Sequence, residues 1–279
     1  MEHCKWMYKI AQVAVFSTLV SACGPSASYE DSPYRNIVVV EEAHLTDDAS
    51  SPYCDFSMDY SFLKEDDDSI AQLINRHIQR EILGADYASL TPEAAIDSFK
   101  NTYLRDYRKE VGELYLADKA QAEEGTEIPA WYSQTYSLLT FLDEGHKGTM
   151  GVSANIFVDT GGAHPNQWGR WLNFDYVTGK LLAQEDVFHA SAKTDIEKIL
   201  LDKLIRMQAE EHPEDSVSTL EDLQELGFLQ LTNMYIPDNF LLNKEAMLFL
   251  FNRYDIAPYS AGEIIIRVPY EEIGPYLKL

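Results

Sequence analysis

Hydrophobic and polar positions change period several times along this chain, and the changes mark its elements. Ile37 to Val40 is a β-branched run, and Tyr53 to Phe62 alternates apolar with polar residues, so both predict strands. Ile70, Leu73, Ile74, His77, Ile78 and Ile82 recur at helical spacing. Glu65 to Asp68 place negative charge at the start of that helix, where its partial positive charge favours it, and Gly84 marks its end. Thr91-Pro92-Glu93 opens a second helix with a cap and a first-turn proline, predicted to run towards Leu116. Trp131 to Leu142 and Gly148 to Val158 form a predicted β-hairpin, with Gly145 in its loop.

Further along, Trp168 to Tyr176 predicts another strand, turned by Thr178-Gly179-Lys180. Ile196 to Met207 predicts an amphipathic helix and Leu220 to Leu226 a shorter one. Asn239 to Leu242 and Ala246 to Phe251 flank a turn at Asn243-Lys244-Glu245, Gly262 to Val268 is a last strand, and Tyr270 to Leu277 a terminal helical turn. Strands outnumber helices without regular alternation of the two. The expected class is α+β, a mostly antiparallel sheet with helices packed on it, in two related or intertwined subdomains. The expected bodies are residues 36–148 and 149–279.

The first 22 residues stand apart from this pattern. Lys5 and Lys9 precede an apolar run from Ile10 to Ala22, followed by Cys23. At 1.5 Å per residue that run spans about 20 Å, short of a bilayer core of roughly 30 Å. Val20-Ser21-Ala22-Cys23 resembles the lipobox of bacterial lipoproteins. The resemblance implies a signal peptide at 1–22, lipidation at Cys23 and a small, polar tether over 23–35. It also implies a lipoprotein anchored by its N-terminus to a membrane of the bacterial cell envelope, outside the cytoplasm. Cys54 is then the last cysteine that could serve the folded body, so no internal disulfide is expected. Its alternating surroundings suit a buried structural thiol.

Net charge is −24, and removal of residues 1–22 leaves −25, since Lys5, Lys9 and Glu2 go together. Nucleic acid is a poor partner for such a chain. A basic protein or a cationic ligand is a more natural one, although the charge also serves solubility. Neither a Gly-x-Ser-x-Gly elbow nor a phosphate-cradling loop is present. No cofactor is expected, and no metal, because no ligand spacing of a familiar kind accompanies the histidines.

Candidate chemistry concentrates in two segments. Asp159-Thr160-Gly161-Gly162-Ala163-His164-Pro165-Asn166 joins two predicted strands. His164 either holds this loop closed or serves a ligand, and with Asp159 or Asp175 it could serve a hydrolase acting on glycan or peptidoglycan. Phe251 to Gly262 is rich in aromatic and turn residues, and Tyr254 and Tyr259 are candidates for a binding surface. Gly161, Gly162, His164, Asn166, Tyr254 and Tyr259 are the candidate ligand-binding set.

Taken together, Gly161 to Asn166, Phe174-Asp175, Thr178-Gly179-Lys180, Tyr254 to Tyr259, Gly262 and Val268-Pro269-Tyr270 resemble the domain of unknown function 3298. The resemblance covers about residues 150–279, and residues 50–145 are similar to the partner domain that usually precedes it. That domain also forms the C-terminal part of the anti-sigma factor RsiV and accompanies the catalytic domain of the deacetylase PdaC. The resemblance implies an extracytoplasmic module without established catalysis. By analogy with RsiV, it implies a lysozyme-like protein or a cell-wall glycan as partner. The cytoplasmic sigma-binding segment and the deacetylase domain have no counterpart in the residues of this chain.

Overall fold

The computed structural model describes residues 32–66, 68–123 and 129–279. The signal peptide, Cys23 and most of the expected tether lie outside the described residues. Within Pro33–Leu279 the chain forms one unit by its internal contacts. Among the described residues two sheets and six α-helices make it α+β, as the pattern predicts.

The first sheet has five strands in chain order: β1 (Tyr34–His44), β2 (Tyr53–Leu63), β3 (Gln134–Glu144), β4 (Thr149–Asp159) and β5 (Asn166–Asp175). All neighbours are antiparallel except β2 and β3, which run parallel. A parallel join needs a crossover connection. Here helices α1 (Ser69–Ile82) and α2 (Pro92–Gln121) supply it. Asp68 caps α1 by accepting from the amides of Ile70 and Ala71, and Thr91 caps α2 through the amide of Ala94.

Alternation in β2 turns Phe56, Met58, Tyr60 and Phe62 to one face, where they are buried. Ile74 and Ile78 of α1 and Ile96 and Leu104 of α2 pack there. Phe56, Phe99, Tyr103 and Tyr136 form an aromatic cluster in this layer, with ring centroids 4.7–6.5 Å apart. Cys54 is fully buried beside them, as its surroundings predict. Helix α2 runs five residues past the expected end at Leu116. Just before that extension Tyr115 is buried, its ring meeting Tyr132 at 5.5 Å.

A second, three-stranded antiparallel sheet holds β6 (Phe240–Leu242), β7 (Ala246–Phe251) and β8 (Ile264–Pro269). Helix α4 (Lys193–Glu211) buries Ile196, Leu200 and Leu204 in the same cluster as Phe249, Ile266 and Val268. Three short helices, α3 (Gln184–Val187), α5 (Leu220–Glu225) and α6 (Tyr270–Ile273), close its ends. The boundary expected at 148/149 falls in the turn between β3 and β4, which are neighbours in one sheet. The two hydrophobic clusters divide instead between Phe174 and Val187.

The sheets meet along β5, an edge strand whose outward backbone groups need partners. Asparagine side chains supply them. Asn252 accepts from the amide of Gly169 at 2.7 Å, and Asn239 accepts from the amide of Trp171 at 3.0 Å. In the other direction, buried Asn173 of β5 bonds both Phe240 and Leu242 of β6. Gly169 lets Leu250 close on the sheet, since a Cβ there would lie 2.4 Å from Leu250 Cδ2. No helix among the described residues is long and apolar enough to cross a membrane.

Candidate functional site

The two segments singled out in the sequence meet at one end of the five-stranded sheet. The first is the loop between β4 and β5. Asp159 accepts from the Gly161 amide at 2.9 Å, which turns the chain sharply. Gly161 has φ of +73°, and a Cβ there would lie 2.3 Å from the backbone of Trp131. Glycine is therefore required both by the turn and by the close approach. Gly162 faces open space, so its lack of a side chain has no steric reason.

The second segment follows β7. Asn252 and Asp255 form a tight turn, with the Asn252 amide donating to the Asp255 carboxylate at 2.7 Å. That turn projects Tyr254, at φ +70° and 61% exposed, into solvent. Tyr259 is half-buried and reaches across to the first loop. Its hydroxyl donates to the carbonyl of Pro165 at 2.8 Å. The His164 ring stacks on it, with centroids 3.8 Å apart. The guanidinium of Arg253 lies 4.9 Å from the same ring and donates to Gln167 at 3.2 Å.

His164 itself is exposed. Its Nε2 lies 3.3 Å from the Tyr254 hydroxyl and its Nδ1 3.2 Å from the Pro165 carbonyl. Both contacts are long for their type. The bond that ties the loops together is made by Tyr259, and His164 leans on it. Trp131, 40% exposed, stands beside the loop, its backbone against Gly161 and its ring on Tyr132 at 3.8 Å. Asn166 is exposed at the start of β5.

Of the two carboxylates that the hydrolase alternative offers, Asp159 lies at this end of the sheet and Asp175 does not. Asp175 stands at the opposite end of β5 from Asn166, roughly 30 Å away at the rise of a strand. There it accepts from the amides of Val177 and Thr178 at 2.9 and 2.8 Å. Those bonds, that from Thr178 foremost, hold its carboxyl below the usual range and make it a turn residue. Asp159 is engaged by Gly161 in the same manner.

Trp131 and Arg253 were not among the sequence candidates. The hairpin register offered one signal: Thr135 pairs with Asp159, so continuing the ladder backwards brings Trp131 level with the Gly-Gly loop. Elsewhere, ligand atoms of His212, Glu214 and Asp215 lie within 4.8 Å of one another, a grouping not expected from spacing.

Residues 185–271 match the family described as "Protein of unknown function (DUF3298)", so this part of the chain is a DUF3298 domain. A crystal structure of a DUF3298 family member from Bacteroides fragilis is similar, with a TM-score of 0.76 at 26% identity. The likeness covers 88% of this chain and 93% of that one. A DUF3298 family protein from Pseudomonas aeruginosa shares the fold, with a TM-score of 0.57 at 16% identity over 88% of this chain and 94% of that one. No curated protein matches the chain. The DUF3298 match begins after β5, so the Gly161 to Asn166 loop lies outside it while Tyr254 and Tyr259 lie within.

Proposed function

We propose that this protein is a lipid-anchored binding protein of the bacterial cell envelope, and that it holds a basic protein or a cell-wall ligand at its aromatic end. The observation that carries this reading is the convergence of Trp131, His164, Tyr254 and Tyr259 from separate loops onto one exposed surface. Aromatic residues with one polar atom in solvent suit recognition surfaces, and they give contact area at little entropic cost. The charge of −24 supports a cationic partner by drawing it in at long range. The separation of Asp175 from His164 weighs against the alternative, an envelope hydrolase acting on glycan or peptidoglycan.

A lysozyme-like protein is the partner to test first. Titration calorimetry at low salt should give saturable heat with a basic lysozyme, and the affinity should fall as salt is raised. Tyr254→Ala should weaken that binding at least tenfold, because an exposed side chain is lost without a fold defect. Absence of heat at low salt removes the lysozyme-like partner, and an unaltered affinity in Tyr254→Ala removes the aromatic end as its site.

A further inference from the structure

The segment that carries Tyr259 has a second side, and it faces a groove. This groove, of about 510 Å³, opens between the C-terminal end of α4, the turn after α5 and the start of β8. Its volume lies within the range of small-ligand sites. Met207, Phe228 and Ile264 make apolar walls, while Glu211 and Glu263 bring carboxylates. Neither Lys nor Arg lines it. His212 also lines it, its ring stacked on Phe228, and Glu214 and Asp215 approach His212 from outside the lining.

Glu263 is the unusual member. Its Oε1 is buried and receives no hydrogen bond from any described residue. Buried carboxylate oxygens are ordinarily bonded, so an orphan calls for a reason. Arg253 is the cation that acts on it, yet its guanidinium is committed to Gln167 and to the Tyr259 ring. No ion pair joins Arg253 to Glu263 among the described residues, and the Arg253 Nε is itself buried without an acceptor.

We propose that this groove binds an organic cation, a protonated amine or guanidinium carried on an apolar stem, with the charge against Glu263 and Glu211 and the stem along Met207, Phe228 and Ile264. The lining decides the sign of the charge: an anion would meet two carboxylates with no Lys or Arg to compensate them. It also decides the shape of the ligand, because a bare cation would leave the apolar walls unused. Burial pushes the Glu263 carboxyl up, as it does for an acid short of donors. The site stands whether or not the aromatic end binds a lysozyme-like protein.

The test is a chemical-shift titration of the full chain with n-butylammonium and n-butylguanidinium. Butyrate and n-butanol serve as anionic and neutral isosteres. Saturable shifts at the Gly227 and Ala261 amides with the two cations are expected, and none with butyrate. Glu263→Gln keeps the volume and should weaken binding at least tenfold. Glu211→Gln, on the more open side of the groove, should weaken it severalfold and serves if the first variant does not fold. Tighter binding of a lysine carried in a short blocked peptide would assign the site to a partner's side chain, and tighter binding of the free amine to a small ligand. No saturable shift up to about 10 mM cation, equal binding of butyrate, or unchanged affinity in both variants would overturn the proposal.

Discussion

One side chain, Asn252, satisfies both backbone groups of Gly169: it accepts from the amide at 2.7 Å and donates to the carbonyl at 3.2 Å. The amide group of an asparagine here reproduces the pairing of a neighbouring strand. Asn239 donates to the same carbonyl at 3.1 Å, so the Gly169 amide is the group that depends on Asn252 alone. In Asn252→Ala that amide loses its partner at a buried position. A loss of about 1–3 kcal/mol in urea unfolding is expected, with faster hydrogen exchange at Gly169. An unchanged midpoint would show that the asparagine is ornamental.

Gly169→Ala should be costly for a different reason, the 2.4 Å approach of its new Cβ to Leu250 Cδ2. Shortening Leu250 to Ala is destabilising on its own, by about 2–5 kcal/mol. In the double variant the clash is gone, so the two losses should sum to more than the combined effect. Strict additivity would mean that the sheets do not close at this point.

At the aromatic end, Tyr259 and His164 are expected to differ in rank. Tyr259→Phe removes the donor to Pro165 and should cost about 0.5–1.5 kcal/mol. His164→Ala removes an exposed ring with long contacts and should cost less than about 1 kcal/mol, in the range of surface changes. Denaturant midpoints of the two variants check this order. A larger loss for His164→Ala would restore histidine as the residue on which the loop turns.

Asp175→Ala tests a pH dependence. Hydrogen bonds from the turn, that from Thr178 first, depress the Asp175 carboxyl below its ordinary value of 3.8. A group whose folded value is depressed stabilises above the unfolded value, and that stabilisation is lost as pH falls through the folded one. The Tm of the parent should therefore exceed that of the variant at pH 7. The gap should close in acid, below the ordinary aspartate range. A gap that persists there would assign the effect to packing.

Cys54 should be silent in the native protein. Burial, with Asp55 second, pushes its thiol up to about 12, so almost no thiolate exists at pH 8. A chain starting at Pro33 holds this one cysteine. A thiol reagent should titrate nothing in it until denaturant is added, and one group thereafter. Rapid native labelling would show that the strand opens.

Much of the fold was legible because its elements carry local signals. Alternation from Tyr53 to Phe62 marks β2, and Thr91-Pro92 starts α2 where the structure does. The length of β1 was not legible, since the β-branched run stops at Val40 and Glu41 and Glu42 in its second half carry no strand signal. They are strand because Phe56 and Asp55 of β2 stand opposite. The parallel β2–β3 join leaves no trace in either strand, for no hairpin chemistry connects them. Likewise the site was half legible. Both loops announced themselves by glycine, proline and tyrosine, but only the folded chain brings Tyr259 to Pro165 and sets Asp175 a strand's length from His164.

That parallel join also sets a clock. Ser57 reaches across to the carbonyl of Tyr136, 79 positions further along the chain. A chain that emerges N-terminus first leaves the first hairpin waiting with a bare flank until Gln134 follows. Whatever keeps other chains off Phe56, Met58 and Tyr60 during that interval decides how much of this protein survives its own synthesis.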